Sequence, residues 1–284
     1  MRRLLSLILC VLTLSGFALS AYAEGGVADA SQMTTVDEVV EPGMTPVSAA
    51  DLVDGEYDVA FKSSSSMFRI ESALLKVADG RMEVTLTMGS KSFLYVYPGS
   101  AEEAAAAPQD AWTAPVENAD GAMTFTIPVE ALDAAVPCAA YSKSKELWYD
   151  RSLLFRADSL PMSAFRGGFF TTAESLELED GRYMVAVTLS GGSGKARVQS
   201  PTALYVEDGV CTAVIGWSSK NYDYMKVEGE KFLPVPNEDN AAFRIPVLYF
   251  DRPMPVIADT VAMSEPHEIS YTLLFDSASL EASP

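Results

Sequence analysis

"RSLLFRADSL", Arg151 to Leu160, returns as "YTLLFDSASL", Tyr271 to Leu280. The two segments share an apolar Leu-Leu-Phe run and a closing Ser-Leu. Four more pairs keep the same order. "DGEYDVAF" (Asp54 to Phe61) matches "DGRYMVAV" (Asp180 to Val187), and "LLKVADG" (Leu74 to Gly80) matches "ALYVEDG" (Ala203 to Gly209). "MGSKSFLYV" (Met88 to Val96) matches "WSSKNYDYM" (Trp217 to Met225), and "FTIPVEALD" (Phe125 to Asp133) matches "FRIPVLYFD" (Phe243 to Asp251). The period is roughly 120 residues, the size of a small domain, so the chain carries one folding unit twice.

Each unit reads as all-β. In "GRMEVTLTM", Met82, Val84, Leu86 and Met88 share one strand face; in "GRYMVAVTL", Tyr183, Val185, Val187 and Leu189 do the same. Asp-Gly pairs at Asp54, Asp79, Asp180 and Asp208 punctuate the strands. The one helical candidate outside the N-terminus is Ala101 to Ala107, bracketed by Pro98 and Pro108 inside a long loop from Gly99 to Gly121. Seven or eight short strands in about 110 residues fit an immunoglobulin-like antiparallel β-sandwich, here in tandem. The expected units span residues 49–160 and 178–284. Residues 24–48 are acidic and small and read as disordered. Residues 161–177 form the link, whose Phe165, Phe169 and Phe170 point to packing rather than a free tether.

Residues 1–23 read as a secretory signal: Arg2 and Arg3, an apolar run, then a small-x-small site at Ala21 to Ala23. No second long apolar run follows, so the expected product is secreted or held at the cell surface without spanning a membrane. The formal charge is −19, which argues against nucleic acid as a partner. Cys138 and Cys211 lie at non-equivalent places in the two units and read as small buried hydrophobes. One histidine and two separated cysteines argue against the usual Cys/His zinc site. No nucleophile, base and oxyanion donor can be named together, so the expectation is a non-catalytic protein.

The residues that could carry function cluster in the second unit. "SEPHEISYTLLFD" (Ser264 to Asp276) holds the lone His267, and alternation puts it on one face with Ile269, Tyr271, Leu273 and Phe275. "WSSKNYDYM" offers Trp217, Tyr222 and Tyr224, with the two tyrosines on one face of a regular strand. "SGGSGKARVQSP" (Ser190 to Pro201) offers Ser193 and Lys195 on a glycine loop open to an anion. Met263, before His267, could line the same end. The ordinary alternatives are core aromatics, a hairpin tip and an exposed turn histidine.

This order of features resembles the near-iron-transporter (NEAT) domain family, which binds haem on Gram-positive cell surfaces. "DGEYDVAFK" resembles its first strand, and "SSMFRIESALLKVADGRMEVTLT" (Ser65 to Thr87) its short helix, strand and Asp-Gly turn. "FTIPVEALD" and "FRIPVLYFD" resemble a later strand. The resemblance covers both units. It implies haem, or a related iron or tetrapyrrole complex, as ligand, passed to a surface uptake transporter or taken from a host protein. In that family the closing hairpin carries a Tyr-x-x-x-Tyr pair, the first tyrosine ligating iron and the second hydrogen-bonding to it. His267 and Tyr271 stand at these positions, as candidate axial ligands. The first unit has Leu147 and Arg151 there and departs from the pattern. The competing expectation is an immunoglobulin-like adhesion or protein-interaction module with no small ligand.

Overall fold

A computed structural model describes residues 26–33, 39–41, 44–237, 240–261 and 267–283. The expected signal at residues 1–23 and Met263 lie outside them. The chain is all-β: 51% of it is strand, and the only α-helix among the described residues is Ala101–Ala106.

Each half builds two five-stranded sheets, antiparallel apart from one short parallel pair, facing each other across a hydrophobic core. In the first half one sheet runs Gly55–Asp58, Ile70–Ala78, Arg81–Met88, Met123–Val129, Val116–Glu117. The facing sheet runs Leu147–Phe155, Val136–Ser142, Phe93–Tyr97, with Phe61–Ser63 and Gly26–Val27 both paired to Leu147–Phe155. The second half repeats the order of four strands in each sheet and differs in the fifth. Gly181–Val185, Thr202–Glu207, Val210–Gly216 and Ala242–Pro246 form one sheet, edged by Glu281–Ser283. Val187–Gly191, His267–Phe275, Met254–Thr260 and Tyr222–Val227 form the other, edged by Glu230–Phe232.

The duplication extends to hydrogen bonds. Asp79-Gly80 and Asp208-Gly209 turn their hairpins with positive φ at both residues, 51° and 71°, then 51° and 76°. That left-handed pair matches the twist of the flanking strands. Tyr57 donates its hydroxyl to the Val53 carbonyl at 2.9 Å, and Tyr183 donates to Glu179 at 2.8 Å. The long strand expected through "GRYMVAVTL" breaks at Ala186, where the chain passes from one sheet to the other. Val185 and Val187 stay inward because both sheets face the same core. The equivalent break in the first half falls between Asp58 and Phe61.

One expectation changes. The described parts of residues 24–48 are ordered: Gly26–Val27 pairs in parallel with Leu147 and Trp148, and Val47–Ser48 pairs with Ala131–Leu132. Val39 and Val47 are buried. Isolated valines in an acidic, small-residue stretch suffice to dock it, which average composition hides. The link is docked, as its phenylalanines lead one to expect. Phe165, Phe169 and Phe170 pack on one another, and Phe170 stacks on Tyr249 at 4.2 Å. Cys138 and Cys211 are free and buried.

Asp133 and Asp251 mark the same corner in each half. Both have positive φ (54° and 63°), and both donate their backbone N–H at 2.8 Å to the carbonyl that ends an equivalent strand, Phe155 of Leu147–Phe155 or Phe275 of His267–Phe275. Burial pushes the Asp133 carboxyl up to about 6, with Asp158 adding to the rise while the Ala157 N–H, Arg156 and Arg252 oppose it. A carboxyl raised above its unfolded value binds its proton more tightly in the fold. Its stabilising contribution is therefore complete below about pH 4 and is lost as pH rises through about 6. Urea midpoints measured from pH 4 to 7.5 should fall more in wild type than in Asp133→Asn.

Candidate functional site

The second half brings three of the named aromatics together. Tyr271, on His267–Phe275, points into the core and is 4% exposed. Its hydroxyl lies 3.1 Å from that of Tyr222, on Tyr222–Val227. Trp217, 2% exposed, packs 4.1 Å from the Tyr222 ring and edge-on to Tyr271 at 5.2 Å. Its indole N–H donates to the Met225 sulfur at 3.3 Å. Burial first, then the Tyr271 hydroxyl, raises Tyr222 well above the usual phenol range. Tyr222 is therefore neutral, and only a strongly polarising partner such as a metal ion would draw a phenolate out of it.

Glycines roof this cluster. A Cβ on Gly192, at φ 56°, would sit 2.6 Å from the Tyr271 ring, so only glycine lets the backbone approach this closely. Beyond it, Ser193 and Lys195 are exposed at the loop tip. Arg197 ties the loop down by donating Nη1–H bonds to the Gly194 and Ala196 carbonyls at 2.6 and 2.7 Å. The loop then rejoins the Trp217 side, where the Gln199 N–H donates to Gly216 at 2.8 Å. Its backbone thus runs from Tyr271 to Trp217.

Tyr224 does not join them. The pairing register shifts between Tyr222, opposite Thr260, and Tyr224, opposite Asp259. This bulge at Asp223 turns the two tyrosines to opposite faces and corrects the same-face expectation. Tyr224 instead donates to Glu268 Oε1 at 2.6 Å, and Lys231 lies 3.5 Å over its ring. The Glu268 hydrogen bond pushes the Tyr224 phenol up to about 12. Lys226 and Tyr224 hold the Glu268 carboxyl below its usual value. His267 is exposed and begins its strand opposite Thr260, and its side chain has no hydrogen bond or ion pair among the described residues. It stands about 13 Å along the strand from Tyr271. The structure therefore gathers Trp217, Tyr222 and Tyr271, and leaves Tyr224, His267, Ser193 and Lys195 outside the cluster.

The first half holds something different at the same place. Arg151, opposite Cys138, is 7% exposed. Its Nη1 donates to the Asp150 carbonyl at 2.6 Å, and its Nε has no partner among the described residues. Burial lowers this guanidinium below its ordinary value. The tyrosine–tyrosine contact was beyond strand alternation, because it depends on the bulge. The glycine roof was legible only as a flexible loop. In comparisons with known proteins, no family model matches the chain, and no curated protein matches it either.

Proposed function

We propose that the chain is a non-catalytic, secreted or cell-surface capture protein whose second half takes haem or a related iron-bearing tetrapyrrole. Tyr271 is the axial ligand and Tyr222 its hydrogen-bonding partner, in tandem NEAT-like, immunoglobulin-like units. The observation that carries this reading is the phenol pair, hydroxyls 3.1 Å apart beside the Trp217 ring and beneath a side-chain-free glycine backbone. Tyrosine is a known axial ligand for haem iron, and a second phenol donating to it would steady the charge. Trp217 supplies an aromatic wall suited to a flat ligand. Gly191 to Gly194 must lift for the ligand to reach Tyr271, which breaks the Arg197 bond to the Gly194 carbonyl, while Gly191, Gly192 and Gly194 carry no side chains to obstruct the movement. His267 stands on the rim of the same face.

Haemin added to the full chain should give a shifted Soret band that saturates at one haem per chain. Absence of a shift rejects the haem reading. A second reading, an adhesion or protein-interaction module, draws on the exposed Met67 at the tip of the first half's serine loop, 77% exposed, and on Val116, 67% exposed. It predicts that Met67→Ser weakens retention of a cell-surface partner without touching haemin absorbance.

A further inference from the structure

The link closes a cleft of about 650 Å³ between the two halves, within the size range of small-molecule sites and at a place where such sites recur. One wall is aromatic: Phe165, Phe169, Phe170 and Tyr249, with successive ring centroids 4.2 to 4.9 Å apart.

The floor carries an asymmetry that the duplication reveals. Asp251 has both carboxylate oxygens engaged by Ser277, whose N–H donates at 2.8 Å and whose hydroxyl donates at 2.7 Å. Asp133 meets Ala157 at the equivalent position. Its Oδ1 accepts the Ala157 N–H at 3.0 Å, and its Oδ2 has no hydrogen-bond partner among the described residues. Asp133 lines the cleft half-buried, so this oxygen can accept a hydrogen bond from a ligand there.

The surrounding charge favours a cation. Carboxylates along the cleft (Glu41, Asp133, Asp158, Glu228, Asp251) outnumber guanidiniums five to two. Arg156 is already engaged by Asp158, at 3.0 and 2.6 Å, and by Glu41 at 3.4 Å. Arg252 lies over the Phe169 ring at 4.0 Å, so the aromatic wall already carries one cation on its face.

We propose that this cleft is a second binding site, for a small organic cation with a flat apolar body. Its ammonium group pairs with Asp133 Oδ2, and its ring lies along Phe169, Phe170 and Tyr249. The site is independent of the haem reading.

Charge and pH separate this from simple apolar binding. Phenethylamine, 2-phenylethanol and 3-phenylpropionate share one body and differ in charge. Calorimetry on the full chain at pH 7.5 should show the amine binding at least about tenfold more tightly than the alcohol, with the carboxylate weaker still. The groups facing Asp133 are Asp158, Arg156 and Arg252. Because Asp133 takes up its proton near pH 6, amine affinity should fall about tenfold by pH 5. Asp133→Asn should remove both the preference for amine and the pH dependence. Ala157→Ser supplies the hydroxyl found at Ser277 and should weaken amine binding while preserving the fold. The proposal is overturned if the three probes bind alike or none binds. It is equally overturned if the amine preference survives in Asp133→Asn, or if Ala157→Ser leaves amine affinity unchanged.

Discussion

Trp217→Ala should destabilise the second half by about 3–5 kcal/mol, the cost of removing a large buried aromatic. The indole is 2% exposed and touches both Tyr222 and Tyr271. Its removal takes away the surface against which the phenol pair is set, and leaves the Met225 sulfur without its donor. The two cores are built from separate sets of buried residues, with Phe170 packed against both. Urea unfolding followed by circular dichroism should therefore show the loss in one part of the transition, with the first half's part nearly unmoved. A loss under about 1 kcal/mol would mean that the site can collapse around the missing ring.

Arg151→Met should act in the opposite direction and raise the stability of the first half by about 1–4 kcal/mol. Burying a charge costs several kcal/mol unless partners offset it, and replacing buried ionic groups by apolar ones of similar volume is often stabilising by this amount. Arg151 has no carboxylate partner among the described residues, and its Nε is unbonded. It stands over the Tyr149 ring at 5.0 Å, a contact too weak to offset its desolvation. Methionine keeps the unbranched stem against Cys138 and removes the charge. Chemical denaturation of the two proteins side by side measures the difference. A less stable variant would show that Arg151 holds the fold through contacts other than the Asp150 carbonyl.

Each prediction concerns one half of a duplicated fold, and the duplication was available in the sequence. The internal repeat, the Asp-Gly turns at Asp79 and Asp208 and the alternation in "GRMEVTLTM" correspond to paired strands, while Asp54-Gly55 and Asp180-Gly181 lead into strands without turning a hairpin. Alternation works there because each strand buries one face only. It fails wherever the backbone departs from period two. The bulge at Asp223 separates Tyr222 from Tyr224, and the crossing at Ala186 splits one apparent strand between two sheets. Neither carries a residue type that announces it. The cleft was hidden for another reason: it depends on how the link docks. Its one sequence clue, Ala157 where the repeat has Ser277, gains meaning only once Asp133 and Asp251 are seen at equivalent corners. Tyr271 shows the same limit, since its alternation with Leu273 and Phe275 marks it as core and says nothing of the phenol it meets.

The capture reading stands or falls on that phenol. Tyr271→Phe keeps the ring in the core and removes only the oxygen, so the fold should survive. Haemin titrations of wild type, Tyr271→Phe, Tyr222→Phe and His267→Ala, followed by absorbance, compare the candidates directly. The account predicts a shifted Soret band for wild type and its loss in Tyr271→Phe. Tyr222→Phe should bind about ten- to a hundredfold more weakly, the expected cost of one hydrogen bond to a charged ligand, and His267→Ala should match wild type. A Tyr271→Phe spectrum identical to that of wild type would contradict it.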